Sequence, residues 1–272
     1  MLRAVLRNNR PTTQPRTQRF SSLAVGVKKP ALGRFFRFQG QEILRTACFV
    51  DGYNLFYGLL AGTHYKWLDL PGLLAHIIRV EHPDSSLEAV SFFTSGVKPS
   101  LATRGIASKQ AQDSYIRALI ARDVKVFYGR HQLESGKAPR FVDKATPASR
   151  ADQVEIWKLE EKETDVHIAI SMYRLAARQA QLPPEQRIEQ IVLVSADTDM
   201  TPALRALRED FAELKLGVIL PHRQGIQRTV PGSFKQYVNW IRHVVTNTEL
   251  ARCQLPHRVP TRKKPADKPA YW

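Results

Sequence analysis

Two apolar runs without a polar interruption, Ala47-Cys48-Phe49-Val50 and Ile191-Val192-Leu193-Val194, each stop at a short segment that carries acids. Such short uninterrupted runs are the pattern of strands buried on both faces, as in a parallel sheet covered by helices on either side. Asp51 ends the first run; Asp197 and Asp199 follow the second. Asp165 opens a helical stretch, Thr164-Asp165-Val166-His167-Ile168-Ala169. In open α/β sheets, ligands bind in the crevice beyond the carboxyl ends of the strands. Carboxylates crowded there repel one another unless a hard divalent cation neutralises them. The pattern therefore predicts a Mg²⁺ or Mn²⁺ site and a phosphate-containing substrate.

The rest of the chain supports an α/β reading. Strands are expected at 47–50, 87–94, 124–128, 190–195 and 216–220, and a further short one at 154–159. Helices are expected from Asp69-Leu70-Pro71, where Pro suits a first turn, and over about 99–122, 165–181, 202–211 and 233–246. Strands alternating with helices predict a mainly parallel, five-stranded sheet with helices on both faces. Residues 129–150 read as a basic loop, and the Pro- and Lys-rich stretch from Arg252 as a disordered tail. The expected organisation is a flexible basic leader over 1–45, one domain over 46–246 and a basic tail over 247–272.

Charge is distributed unevenly. The chain of 272 residues has a formal net charge of +16. Ten Lys/Arg against the single acid Glu42 fall in residues 1–46, and six against Asp267 in residues 251–272. Basic ends of this kind attract polyanions without sequence preference, although they also serve solubility alone. Residues 1–40 contain no acid and have the composition of a mitochondrial presequence, yet Pro11 and Pro15 interrupt a long amphipathic helix. A cytoplasmic location is expected, with the mitochondrial matrix as the alternative. Phe35, Phe36 and Phe38 form a candidate docking patch. No run approaches the roughly 18 apolar residues that span a membrane. Cys48 and Cys253 suggest neither a disulfide framework nor a zinc site.

Each candidate acid also has a bland explanation. Asp51 precedes Gly52, a common turn pair. Asp165 suits the first turn of a helix, where the dipole favours an acid. It shares a helical stripe with Ile168, Ala169, Met172, Leu175 and Ala176, so its carboxylate is expected to point toward the sheet. Asp197 and Asp199 could cap the following helix, but Thr201-Pro202 supplies its own cap and first residue. Alternation along extended backbone then puts both aspartates on one side. Asn54 could orient a carboxylate or a phosphate. Lys162, Arg130, Lys144, Arg150 and Ser195 are candidate nucleic-acid contacts. His131, His167 and His222 lack metal-ligand spacing. An aspartyl phosphatase would want Asp where Tyr53 stands, and no Walker loop is present.

Phe49-Val50-Asp51-Gly52-Tyr53-Asn54, Glu161-Lys162-Glu163-Thr164-Asp165-Val166 and Val194-Ser195-Ala196-Asp197-Thr198-Asp199-Met200, in that order, resemble the NYN domain family of PIN-like nucleases. Leu220-Pro221-His222-Arg223 resembles its bacterial branch. The resemblance covers about three-quarters of the chain. It implies a three-layer α/β/α PIN-like fold and a metal-dependent ribonuclease site. Metal ligation falls on Asp51, Asp165, Asp197 and Asp199, and an orienting role on Asn54. A homodimer is a further expectation for such a sheet. Many members have Gly where this chain has Glu163, and some have another acid where it has Ser171.

Together these readings predict hydrolysis of phosphodiester bonds in single-stranded RNA by a metal-bound water. The rivals are a non-catalytic RNA-binding module that keeps the fold, and a protein-interaction scaffold working through its tails.

Overall fold

The computed structural model describes residues 43–226 and 232–272. Residues 1–42 of the expected leader, including Phe35, Phe36 and Phe38, lie outside the described residues, and its last two, Leu44 and Arg45, instead open the first strand. All described residues belong to one compact unit.

Six strands form a wholly parallel sheet: β1 (Leu44–Asp51), β2 (Ser85–Thr94), β3 (Lys125–Tyr128), β6 (Gln190–Val194), β7 (Lys215–Ile219) and β8 (Trp240–Arg242). Their order is β3-β2-β1-β6-β7-β8. The two apolar runs are neighbours at its centre, with Cys48 opposite Val192 and Val50 opposite Val194. Alternation along β1 sends Cys48 and Val50 into one core and Ala47 and Phe49 into the other. The first core is roofed by α2 (Leu70–Glu81) and α3 (Ile106–Ala121), the second by α4 (Thr164–Gln179) and α5 (Thr201–Asp210). This is the α/β class with helices on both faces that the alternating pattern predicted.

Local chemistry sets the helix bounds. Asp69 caps α2 by accepting a hydrogen bond from the Gly72 amide, with Pro71 in the first turn. Leu70, Leu73, Leu74, Ile77 and Ile78 recur at helical spacing, and all are buried. Burial of each such side chain contributes about 1.5–3 kcal/mol before conformational entropy is subtracted. The helix expected over 99–122 is instead a short 3₁₀ turn at Pro99–Leu101 followed by α3. Gly105 separates them at φ +52°, a conformation open to glycine.

Three regions depart from expectation. The sheet has a sixth strand, because residues expected as a helix over 233–246 form a 3₁₀ turn at Gly232–Phe234 and then β8. Trp240 of β8 lies directly over Gly217, where any Cβ would collide with its indole. Local periodicity could not show that packing. The basic loop of 129–150 is partly a strand: β4 (Arg130–Pro139) pairs antiparallel with β5 (Gln153–Lys162) as a separate two-stranded ribbon. Trp157 on the ribbon and Phe141 in its connecting loop are exposed (71 % and 77 %).

The C-terminal stretch is no loose tail, and position 246 marks no structural break. A capping box joins Thr246 to Glu249 at the start of α6 (Asn247–Arg252). Beyond it, β9 (Arg258–Val259) pairs with β10 (Ala266–Asp267). Val259, Ala266 and Leu255 are buried in the first core. Trp67 Nε1 donates to the Pro256 carbonyl at 2.8 Å, and Ser114 Oγ to the Asp267 carbonyl at 2.8 Å. Composition suggested disorder, but these few apolar residues complete a core that α2 and α3 leave open.

Candidate functional site

The strand ends of β1 and β6 bring Asp51, Asn54, Ser195 and Asp197 together. Asp51 is 2 % exposed. Its Oδ1 accepts from the Tyr53 and Asn54 amides, both at 3.0 Å, and so caps the short helix α1 (Gly52–Leu55). Its Oδ2 accepts from Asn54 Nδ2 at 2.6 Å and from Ser195 Oγ at 3.0 Å. Burial raises the Asp51 pKa, and the hydrogen bonds from the Asn54 amide, Ser195 Oγ and Asn54 Nδ2 work against that shift. The turn reading and the functional reading of Asp51 thus meet in one side chain. Gly52 is required here, since a Cβ would lie 2.6 Å from the Phe93 carbonyl oxygen.

Ser195 is fully buried, so its place among nucleic-acid contacts is corrected. It donates to Asp51 and accepts from the Asp197 amide at 3.1 Å. Asp197 in turn accepts from the Asp199 amide at 2.9 Å and caps a 3₁₀ turn, Thr198–Met200. The aspartates are therefore not surplus to local structure. α5 begins at Thr201 without a side-chain cap, and Thr201 Oγ1 hydrogen-bonds Ser233. The alternation argument also fails, because β6 ends at Val194 and the backbone then coils.

Asp165 opens α4 as expected, and Ile168, Met172 and Ala176 below it are buried. The residue is exposed overall, so the expected burial against the sheet is not found, yet its carboxylate is partly desolvated and feels the charge of Asp51 and Asp197. Its pKa is raised to about 6, first by desolvation and then by Asp51, Asp197, Glu161 and Asp199. Five carboxylates thus share one field. Among the described residues, no three His, Cys, Asp or Glu side chains are grouped as metal ligands. The hard oxygens suit Mg²⁺ or Mn²⁺ by donor type, with Asp51 already holding four donors of its own.

Sequence reasoning missed Glu161 as a site residue. At the end of β5, its Oε1 accepts from Ser95 Oγ and Thr164 Oγ1, each at 2.7 Å. It also helps raise the pKa of Tyr53. One acid within Glu160-Glu161-Lys162-Glu163 is not distinguishable without the ribbon's register. Of the basic candidates, Lys162 pairs with Glu160, and Arg130 with Glu163 at 2.9 Å. Lys144 and Arg150 stand exposed in the loop between the ribbon strands, away from any carboxylate partner among the described residues.

Beside the carboxylates opens a cavity of about 480 Å³. Gly52, Tyr53 and Ser95 lie in its lining and connect it to the acidic group. Its aromatic wall comes from Tyr53, Phe56 and Tyr57, and from Tyr271 and Trp272 of the C-terminal stretch. Phe56–Leu60 is a π-helical segment, a form enriched at functional sites.

No protein-family model matches the chain. It is 32 % identical over 249 residues to 6-hydroxy-3-succinoylpyridine 3-monooxygenase HspA of Pseudomonas putida, covering 85 % of this chain and 76 % of that protein. The chain belongs to the family of that monooxygenase. The expectation of a hydrolytic ribonuclease is thereby corrected, because its relative is an oxidoreductase. Short acidic motifs at strand ends do not distinguish the two chemistries. A solved structure of a Vibrio parahaemolyticus protein of unknown function is similar over 77 % of this chain and 96 % of its own, with 12 % identity and a TM-score of 0.43. Among the described residues, no helix is long and apolar enough to cross a membrane.

Proposed function

We propose that the chain is a monooxygenase of small hydroxylated N-heteroaromatic compounds, acting where the aromatic cavity meets the carboxylates. The observation that carries this reading is the cavity itself. Its volume of about 480 Å³ suits a one-ring substrate, and its aromatic wall suits a planar ring. The relative's monooxygenase name supplies the reaction class.

The overall reaction transfers one atom of dioxygen to a ring carbon. The second atom leaves as water, with two electrons from a reduced nicotinamide or flavin and two protons. The chain's own residues bind and orient the ring and move protons. A ring hydroxyl becomes electron-rich on losing its proton. Asp165, with a pKa of about 6, is poised to accept one near neutrality. Burial and the neighbouring Tyr57 and Glu161 push the Tyr53 phenol up, so it stays protonated and can donate to a ring oxygen. Asp51, Asn54 and Ser195 touch no cavity ligand in this scheme; they hold the backbone that carries Tyr53. Mg²⁺ or Mn²⁺ at Asp197 and Asp199 would neutralise part of the crowded charge and leave Asp165 to take the proton.

Incubation with 6-hydroxy-3-succinoylpyridine, NADH, free flavin and isotopically labelled dioxygen tests the proposal. One labelled atom in the product is expected. Unlabelled or unchanged substrate under all reductants sinks it.

A second reading rests on the ribbon. Exposed Trp157 on the ribbon, with exposed Phe141, Lys144 and Arg150 in its connecting loop, supplies stacking surfaces and cations, the combination that holds single-stranded RNA. It predicts RNA binding that weakens steeply with salt, without cleavage.

A further inference from the structure

α4 is apolar on two sides. Ile168, Met172 and Ala176 recur at helical spacing and are buried against the sheet. One such stripe is what a surface helix needs in order to pack on its own domain. Val166, Ile170, Tyr173 and Ala177 form a second stripe on the outer side, at steps of four, three and four residues. Val166, Ile170 and Tyr173 are 59 %, 48 % and 40 % exposed. Alternating steps of three and four are the spacing by which one helix packs along another. Tyr173 is held in this stripe by α5 and its flank: its hydroxyl donates to Asp210 at 2.6 Å, and its ring meets Phe211 edge-on at 5.3 Å. Charge of opposite sign marks the two halves of the helix. Glu163 and Asp165 stand exposed at its start. Arg174 and Arg178 stand exposed in its second half, without an ion-pair partner among the described residues.

We propose that this outer stripe is the contact face between two copies of the chain, with their α4 helices packed antiparallel about a two-fold axis at Ile170. The order of charge favours a second copy over any other partner, because a two-fold contact must be complementary to itself. With the axis at Ile170, Arg174 of each copy lies level with Val166 of the other, and Arg178 with the acidic start of the other copy's α4. The antiparallel arrangement also sets the positive end of one helix dipole beside the negative end of the other. Val166 adjoins Asp165, so the contact borders the carboxylate group, and the other copy's arginines oppose its charge. One helix pair makes a small interface, and the dimer should therefore dissociate on dilution.

Sedimentation velocity of the full chain from about 1 to 100 μM tests this. A monomer–dimer equilibrium that shifts with dilution is expected. Ile170→Arg sets two like charges at the axis and should weaken the dimer by about tenfold or more, with unchanged far-UV circular dichroism. Arg174→Glu combined with Arg178→Glu should weaken it by about tenfold. Ile170→Cys gives a second test that needs no charge in the stripe. Mild oxidation should join two copies by a disulfide between their 170 positions, whereas Ile120→Cys, at an exposed site on α3 in the opposite layer, should not join them. A chain that stays monomeric at every concentration overturns the inference. A dimer indifferent to Ile170→Arg, or one joined as readily through position 120 as through 170, overturns it by placing the contact elsewhere.

Discussion

Ser195 Oγ donates a hydrogen bond to Asp51 Oδ2 at 3.0 Å, joining the ends of the two central strands across 144 positions of sequence. The same oxygen accepts from the Asp197 amide. One buried hydroxyl therefore connects the Asp51 cap to the turn that carries Asp197 and Asp199.

Replacing Ser195 with Ala removes a donor from a buried carboxylate. Loss of a hydrogen bond to a buried charged group costs about 1.5–3 kcal/mol. Chemical denaturation should show that loss at neutral pH, with a smaller one where Asp51 is protonated. An unchanged midpoint would mean that Asp51 does not depend on Ser195.

Asp165→Asn should change how stability depends on pH. The Asp165 pKa is raised in the folded protein to about 6, so its charged form is disfavoured by folding. That penalty is absent below the ordinary carboxylate value near 4 and complete above about 6. The variant should melt higher than the parent near neutral pH and no differently near pH 4. A neutral-pH gain of zero would show that the five-carboxylate field is screened by solvent. In the oxygenase assay the same variant should lose turnover, since the proton acceptor is gone.

Mn²⁺ should bind the parent and raise its melting temperature by relieving the same repulsion. Electron paramagnetic resonance of free Mn²⁺ counts the bound ion directly. Combined Asp197→Asn and Asp199→Asn changes should abolish that binding. Equal uptake by parent and double variant would place the ion elsewhere.

Glu163 holds a left-handed backbone, φ +78°, at the entrance to α4. A side chain there costs about 1–2 kcal/mol, and the exposed pair with Arg130 returns at most about 1 kcal/mol. Glu163→Gly should therefore be neutral or stabilising by about 1 kcal/mol. Marked destabilisation in urea would show that the Arg130 pair matters more than the strain.

Ending the chain at Arg252 should destabilise it by about 3 kcal/mol or more, since Val259 and Ala266 leave the core and Trp67 loses its cover. Trp67 fluorescence should shift to the red. A truncated protein as stable as the full chain would restore the picture of a dispensable tail.

The apolar runs, their flanking acids and the spacing along α2 and α4 were legible from the chain alone, because burial on both faces and helical periodicity are local patterns. They determined the α/β class and the parallel sheet, and they placed Asp51 and Asn54 at the end of a central strand. Glu161, β8, the burial of Ser195 and the packed C-terminal stretch were decided only by tertiary contacts. Glu161 becomes a site residue through the register of β5 against β4, and Trp240 forms an edge strand because Gly217 leaves room for its ring. The aromatic cavity joins residues 53–57 to residues 271–272. A pocket assembled from segments more than 200 positions apart leaves no local pattern, since each part is an ordinary aromatic residue until the fold brings them together.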